Sequence, residues 1–508
     1  MALNVGINVV EVDGRAAPSI QAAPTSVAAF IIRAARGLSG TVYRISNWTQ
    51  YVEHFGDYVS GAYGTYAVRG FFDNGGSVAY VTRLLDAAAA DSASRAFDNG
   101  GGAALTVTAG YRGVEDPGAW GNGIGIHIRA NAETAGTYDL LVRYGGAVVE
   151  TWEGLNNDDT AGAPGVHPEA VINDEFTGSR YIIVAEDATA NPTALGNDAQ
   201  GRPVWEDLEN GADDSLGDTA NAAALGTAAA NALTLFDVVD VQLVSCPETT
   251  HDNWVDAALT YCENRGDCMF VGHLPENNAL SDARTYGRAW QGSKRYGALY
   301  FPWIRVRDPI GTQRWVPPTG HVMGVYARTE QERGIWKAPA GNAARVNGAL
   351  DVKLSMTDTD HTDLVKNGSV NAVRFIPGQG IIVDSSRTLS TSPLWLYVNV
   401  RLLFNFVKSS LKSGLRWVVQ EPNDPTLWNK VKFNAVTPFL LGLWRRGAFG
   451  PGAPEDVFTV KIDAENNPPA NIQQGILTIE VYFYPSRPAE TIVITVGQQE
   501  GGASASEA

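Results

Sequence analysis

From Leu233 onward the chain alternates short apolar runs with helical segments, and this order restricts the fold more than any other feature. Residues 238–244 read as an apolar strand, 254–264 as a helix, and 268–272 as a second strand. A second helix follows at 283–290 and a third strand at 298–305 (ALYFPWIR). Parallel strands need a crossover between them, so this alternation predicts a parallel sheet covered by helices on its faces. At 508 residues the chain is too long for one ordinary core, and two to four domains are expected.

The earlier part of the chain supplies more of the same unit. Residues 25–32 (TSVAAFII) read as a buried strand. Residues 46–55 read as a helix capped by Ser46 or Asn47, and 64–74 as a helix closed by Asn74-Gly75-Gly76. Residues 77–84 form the next strand. Between 87 and 231 the composition changes to Gly, Ala, Asn and Asp. Short alternating strands are predicted at 105–109, 124–129, 138–144, 147–151 and 181–184, with a hairpin at Arg143-Tyr-Gly-Gly-Ala147. This implies an α/β domain in two pieces, 23–86 and 232–385, with residues 87–231 inserted as a β-rich outer domain.

Residues 395–444 read as helix, short strand, turn and helix. Val400, Phe404, Val407 and Leu411 fall at helical spacing with Leu403 beside them, and Gly414 stands where a left-handed cap belongs. Residues 415–419 read as a buried strand. Asp424 and Pro425 make an N-cap and first-turn pair for a helix that carries Leu427, Val431, Leu440 and Leu443 inward, with a kink at Pro438. Trp417, Trp428 and Trp444 complete the expected core of an α+β C-terminal domain, 386–488. With Trp303, Trp315, Trp336 and Trp395 they form a tryptophan-rich second half that suits a core or an interface.

Both ends of the chain are strand-like. Val5, Ile7 and Val9 alternate with Asn4, Gly6 and Asn8 in a run that reaches Val12, and Arg15 to Pro24 reads as an extended Ala- and Pro-rich linker into the body. Near the other end, 476–484 read as a strand broken by Pro485 and Pro488. Ile492, Ile494 and Val496 alternate after it, and 497–508 are of disordered composition. The two arms are therefore 1–22 and 489–508. A terminal strand must find a sheet. It either pairs within its own subunit or adds to a neighbour's sheet.

Chemistry is sparse. The net charge of −17 and a pI of about 4.9 argue against broad nucleic-acid or anionic-membrane binding. No run of 18 apolar residues is present, so no membrane insertion is expected. The N-terminus lacks the pattern of a secretory signal. Cys246, Cys262 and Cys268 suit a reducing cytoplasm, and their spacing with His251 and His273 lacks zinc-site pairs. Asp358–Asp363 begins like a calcium loop, but Asp363 stands where glycine is needed, so Thr357 with Asp360 reads as a helix-capping pair. Gly121-Asn-Gly-Ile-Gly125 reads as a turn. His251, His273, His321 and His361 are available to a serine triad, but no G-x-S-x-G elbow marks a nucleophile. No catalytic residue, metal or cofactor is expected.

Longer segments carry a family resemblance. NVRLLFNFVKSSLKSGLRWVVQEPNDPTLWNKVK and FLLGLWRRGAF resemble the C-terminal domain of contractile tail sheath proteins, from phage tails and bacterial contractile injection systems. PTSVAAFI with FFDNGGSVAYVTRL resembles their N-terminal part, and DPGAWGNGIGIHI the segment that follows. RYGALYFPWIRVRDP, VPPTGHVMGVYARTEQERGIWKAPAG and VNAVRFIPGQGI resemble their central domain. The family's Trp-Gly-Ala-Arg-Thr run is reduced here to Arg387 and Thr388, and parts of 155–225 match no family segment. The resemblance implies a subtilisin-like α/β central domain and a C-terminal domain on which terminal strand arms are exchanged between subunits. It further implies a structural, non-enzymatic sheath assembled in the cytoplasm, a helical stack of hexameric rings. The expected partners are copies of itself, an inner tube protein, and baseplate and cap proteins. The alternatives are a hydrolase of subtilisin-like fold and a non-contractile shell protein.

Overall fold

The computed structural model describes residues 20–492 apart from 87, 277 and 278. The chain first forms β1 (Ala28–Ile32), β2 (Tyr43–Ile45), α1 (Trp48–Phe55), α2 (Gly64–Asp73) and β3 (Ala79–Arg83). Asn47 caps α1 by accepting the Gln50 N–H, and the Ser46 N–H and hydroxyl both donate to the Gln50 side chain. All five residues of β1 are buried on both faces, as a central parallel strand requires.

Next comes a β-rich unit: β4 (Ser94–Asp98), β5 (Ala103–Tyr111), β6 (Val114–Glu115), β7 (Ile124–Ala130), β8 (Tyr138–Tyr144), β9 (Ala147–Leu155), α3 (Pro168–Ile172), β10 (Ile182–Glu186) and β11 (Glu206–Asp207). One sheet runs β10-β5-β4 with β6 beside β5, and the other runs β11-β7-β8-β9. Leu105, Val107, Ile126, Ile128, Leu140 and Val142 share a core of their own. Gly145 and Gly146, both at positive φ, turn the β8–β9 hairpin so that Tyr144 faces Ala147. The Gly121 segment is a 3₁₀ turn leading into β7. A buried ion pair joins this unit to β3. Arg83 Nη1 lies 2.8 Å from Asp116 Oδ1, and the other carboxylate oxygen accepts the Gly37 N–H. Charge is strongly segregated. Residues 87–221 hold twenty-two acidic side chains against six arginines and no lysine, which is nearly all of the chain's net −17.

The chain then returns through α4 (Ala222–Asn231), β12 (Leu243–Ser245), α5 (Asp252–Arg265), β13 (Met269–His273), α6 (Leu280–Trp290), β14 (Gly297–Phe301), β15 (Ile304–Arg307), β16 (Gln313–Val316), α7 (Thr319–Arg333), β17 (Asp351–Val352), α8 (Asp358–Gly368), β18 (Val370–Ile376) and β19 (Gly380–Val383). The main sheet runs β19-β18-β14-β13-β12-β1-β3-β2. Its six inner strands are parallel and its two edge strands antiparallel. Ala28, Phe30 and Ile32 face the core shared with α2 and α7, while Ala29 and Ile31 face α4 and α5.

Two predicted strands are corrected. The run 238–244 is strand only from Leu243. Val238 is 91% exposed, because a 3₁₀ turn at Ala232–Phe236 brings the chain up outside the sheet. The run 298–305 is two strands. Pro302 has no N–H for a ladder, so β14 ends there, and β15 leaves to form the small sheet β16-β15-β17.

Helices α2 and α7 cross at glycine. A Cβ on Gly320 would lie 2.1 Å from the Ala67 carbonyl oxygen, and one on Gly324 would lie 2.5 Å from that of Phe71. Further along α7, the Ser26 hydroxyl donates to Glu330. Burial pushes this carboxyl up to about 7, against the lowering effect of that hydrogen bond. The folded chain therefore holds a proton that the unfolded chain releases near 4.5. The stability this contributes is complete below pH 4.5 and is lost as pH rises through 7. Wild type should lose up to about 3 kcal/mol relative to Glu330→Gln between pH 4.5 and 7.5. Urea unfolding of both at each pH reads the difference, and a difference that does not change with pH contradicts it. Buried His273 and His321, lowered to about 3 and about 4 by desolvation, tilt both curves the opposite way and cancel in that comparison.

Candidate functional site

The C-terminal unit is built on α9 (Val398–Gly414), followed by α10 (Pro425–Asn429), a π turn at Lys430–Val436, α11 (Thr437–Arg445), α12 (Pro454–Val457), β20 (Phe458–Lys461), α13 (Pro469–Gln473) and β21 (Glu480–Phe483). Among the predicted core residues, Val400, Val407 and Trp428 are buried, while Phe404, Leu411, Trp417 and Trp444 are half-buried. Phe404 stacks on Phe483 with ring centroids 4.2 Å apart. Asp424 caps α10 by accepting the Leu427 N–H, and Leu427, Val431, Leu440 and Leu443 point inward. The break expected at Pro438 takes the form of the π turn just before it. A wider turn accommodates the missing N–H and the bulk of the ring.

Three expectations fail here. Gly414 is not a left-handed cap. It is the last residue of α9, and it is small because Ile20 lies on it, 2.7 Å from where a Cβ would stand. Residues 415–419 are not a strand. The helix tightens into a 3₁₀ turn at Arg416–Val418, and Val419 is 68% exposed. The run 476–484 is strand only over β21.

Helix α9 is buried on most of its circumference, including the polar Asn399, Arg401, Asn405 and Ser410. These side chains attach it to the rest of the subunit. Arg401 donates to Asn405 Oδ1 at 2.9 Å and lies over the rings of Tyr296 and Trp395, while Asn405 donates to the Cys268 carbonyl. Apolar periodicity gives no signal for such residues.

Both ends of the described chain converge on this unit. At the N-terminal side, Ile20 covers Gly414, and the Ala23 N–H donates to the buried Ser410 hydroxyl at 3.0 Å. At the C-terminal side, β21 pairs antiparallel with β20, and the Ser486 hydroxyl donates to the carbonyls of Gly447 and Phe449. Glu490 then receives both Arg387 Nε at 2.7 Å and Arg387 Nη2 at 2.5 Å. Burial acts to raise the Glu490 carboxyl, but the Arg387 hydrogen bonds and charge hold it below the ordinary glutamate value. The arm residues Val5, Ile7, Val9, Val12, Ile494 and Val496 lie outside the described residues; Ile492, just inside, is 77% exposed. The β20–β21 sheet has two strands, and among the described residues its outer edges carry no further strand. Tyr482 and Tyr484 stand exposed on β21 and just beyond it.

The remaining candidates are occupied by structural work. The three cysteines are free and buried in the core beneath α5. Thr357 and Asp360 form a capping box at α8. His251 caps α5, His273 packs on Trp303, His321 lies against Gly70, and His361 sits 3.7 Å from Asp384. None of these rings bonds a serine among the described residues. At the C-terminal end of β12, where an open α/β sheet offers a crevice, Glu248 already accepts the Tyr63 and Gly64 N–H groups at the start of α2.

Comparison with known proteins agrees with this geometry. Residues 222–389 match the phage tail sheath protein central domain and residues 390–499 the phage tail sheath C-terminal domain, which together exceed half of the chain. The tail sheath protein of Salmonella phage ViI is 26% identical over 204 residues, 39% of this chain and 31% of the relative. That of Enterobacteria phage T4 is 24% identical over 197 residues, 38% of this chain and 28% of the relative. The chain thus spans about a third or less of these relatives. In fold it is similar to the sheath of an extracellular contractile injection system in its contracted state (TM-score 0.59, 18% identity, 98% of this chain and 99% of that one). It is also similar to a sheath tail protein of Listeria innocua (TM-score 0.61, 13% identity, 88% and 90%). Neither the hydrolase nor the shell alternative gains support. With both sheath domains matched in order and the mixed α/β fold shared along nearly its whole length, the chain belongs to the contractile tail sheath family.

Proposed function

We propose that this chain is a structural sheath subunit with no chemistry of its own. It polymerises as a helical tube around an inner tube and contracts to drive that tube through a target envelope. The observation that carries this reading is the pair of arm roots, Ala23 on Ser410 and Ser486 on Gly447 and Phe449, held on one unit beside a two-stranded sheet that carries no further strand among the described residues. A sheet of two strands is marginal alone, and strands lent by neighbours would complete it. Such lending is head-to-tail and does not close on itself, so it builds a helix of stacked rings. The α/β bodies then shift as rigid units while the arms stay paired. The subtilisin-like character of the body is part of this reading, supported by its buried parallel sheet with helices on both faces. So are the outward position of residues 87–231 and partnership with inner tube, baseplate and cap proteins.

Negative-stain microscopy of the purified chain, alone and with its inner tube protein, tests the reading. Tubes of two lengths and two diameters are the expected result. Closed shells, or monomers under all assembly conditions, overturn it.

A further inference from the structure

Five residues cross from the C-terminal unit to the α/β body just before the described chain ends. Ser486 is fixed to the C-terminal unit through the carbonyls of Gly447 and Phe449. Four residues later Glu490 is fixed to Arg387, which lies between β19 and α9 and is held to β18 of the body through Asn371. Between these two points Arg487 and Ala489 are exposed and border a cleft of about 930 Å³. The crossing segment is therefore held chiefly at its two ends, with only Pro488 half-buried between them.

The body end is built with care. Arg387 exposes 11% of its side chain and Glu490 27%, so the guanidinium is largely withdrawn from water while the carboxylate it holds keeps one side open to solvent. The Tyr397 hydroxyl adds a third bond to the same carboxylate at 3.2 Å. The Arg387 backbone is itself locked. Its N–H donates to Asn371 Oδ1 at 2.6 Å, and Asn371 Nδ2 donates back to the Arg387 carbonyl at 2.7 Å. Asn371 is fully buried on β18, so the guanidinium is referenced to the main sheet. Asn399 on α9 bridges the same junction, donating to the carbonyls of Trp336 and Ser486.

We propose that residues 486–490 form a strap that ties the C-terminal unit to the α/β body, and that the Arg387–Glu490 pair is the buckle that sets where the C-terminal arm leaves the subunit. The role of the pair in assembly rests on the reading of residues 489–508 as an inter-subunit arm; the strap itself does not. Asn371 is a positioning residue that acts through Arg387.

The test uses the full chain carrying a nitroxide on Ala489→Cys, a position exposed within the strap. In the soluble subunit, Glu490→Gln and Arg387→Ala should shorten the rotational correlation time of that label at least threefold and leave amide exchange on β18 unchanged. In assembly, both variants without the label should lower the sedimentable tube fraction at least tenfold. The exchanged pair Arg387→Glu with Glu490→Arg should recover a substantial part of it, which a general loss of folding would not allow. Unchanged label mobility in both single variants overturns the strap. A loosened label with normal tubes overturns its role in assembly. Wild type that never forms tubes overturns the sheath reading, and the label mobility still decides the strap.

Discussion

Removing residues 1 to 12 should leave a folded subunit that no longer forms tubes. The deletion ends well before Ile20, so the contact of Ile20 with Gly414 and the Ala23 bond to Ser410 remain. The buried strand β1 and its registers with β3 and β12 are likewise untouched. The thermal midpoint of the subunit should therefore hold within a few degrees. The loss falls on association. On the proposed pairing, a strand of this length would supply about four or five main-chain hydrogen bonds at roughly 0.5–1.5 kcal/mol each. Burial of Val5, Ile7 and Val9 in a neighbour's sheet, on the proposed pairing, would add to this. A deficit of about 5 kcal/mol per contact corresponds to a factor of roughly 10³–10⁴ in the association constant. In a polymer that separates assembly from its absence. Sedimentation and negative-stain images of the truncated chain give the result, and normal tubes that contract normally would rule out the tether.

Substituting Gly320 by alanine should lower subunit stability by about 3 kcal/mol. The direction is informative because helix propensity points the other way: alanine inside a helix is favoured over glycine by about 1 kcal/mol. The new methyl would stand 2.1 Å from the Ala67 carbonyl oxygen and 2.5 Å from the Ala67 Cα, and these are backbone atoms that cannot rotate aside. Relief requires α2 to move off α7, and α2 also carries the buried Phe71 that meets Phe30 of β1 edge to face. Urea unfolding, with Gly442→Ala on an open helix surface as the control, separates packing from propensity. A stabilised Gly320→Ala would show that the helices are not in close contact.

How much of this could be read from the chain depended on the kind of signal. The parallel body was legible because buried parallel strands are continuous apolar runs and their crossover helices are regular. The Thr357–Asp360 cap, the Asp424–Pro425 start and the Gly145–Gly146 hairpin were legible because each is local chemistry within four residues. Residues 415–419 misled because β-rich apolar composition does not say whether a partner strand lies alongside, and among the described residues none does. Gly414 misled because a glycine after a helical stripe serves equally for a left-handed cap or for close approach, and only Ile20, 394 positions earlier, decides between them. The buckle was invisible for the same reason. Arg387, Asn371 and Glu490 are ordinary polar residues until the fold brings them together.

The uneven placement of charge has a consequence for crowding. Outside the β-rich unit, acids and bases nearly balance, so in the proposed tube the faces left for stacking would approach copies of themselves with little mutual repulsion. Where that unit lines the rim of a tube, the rim becomes a dense anionic fringe. Finished particles would then stay dispersed in dilute buffer and bundle into rafts once salt shortens the screening length to a few ångströms.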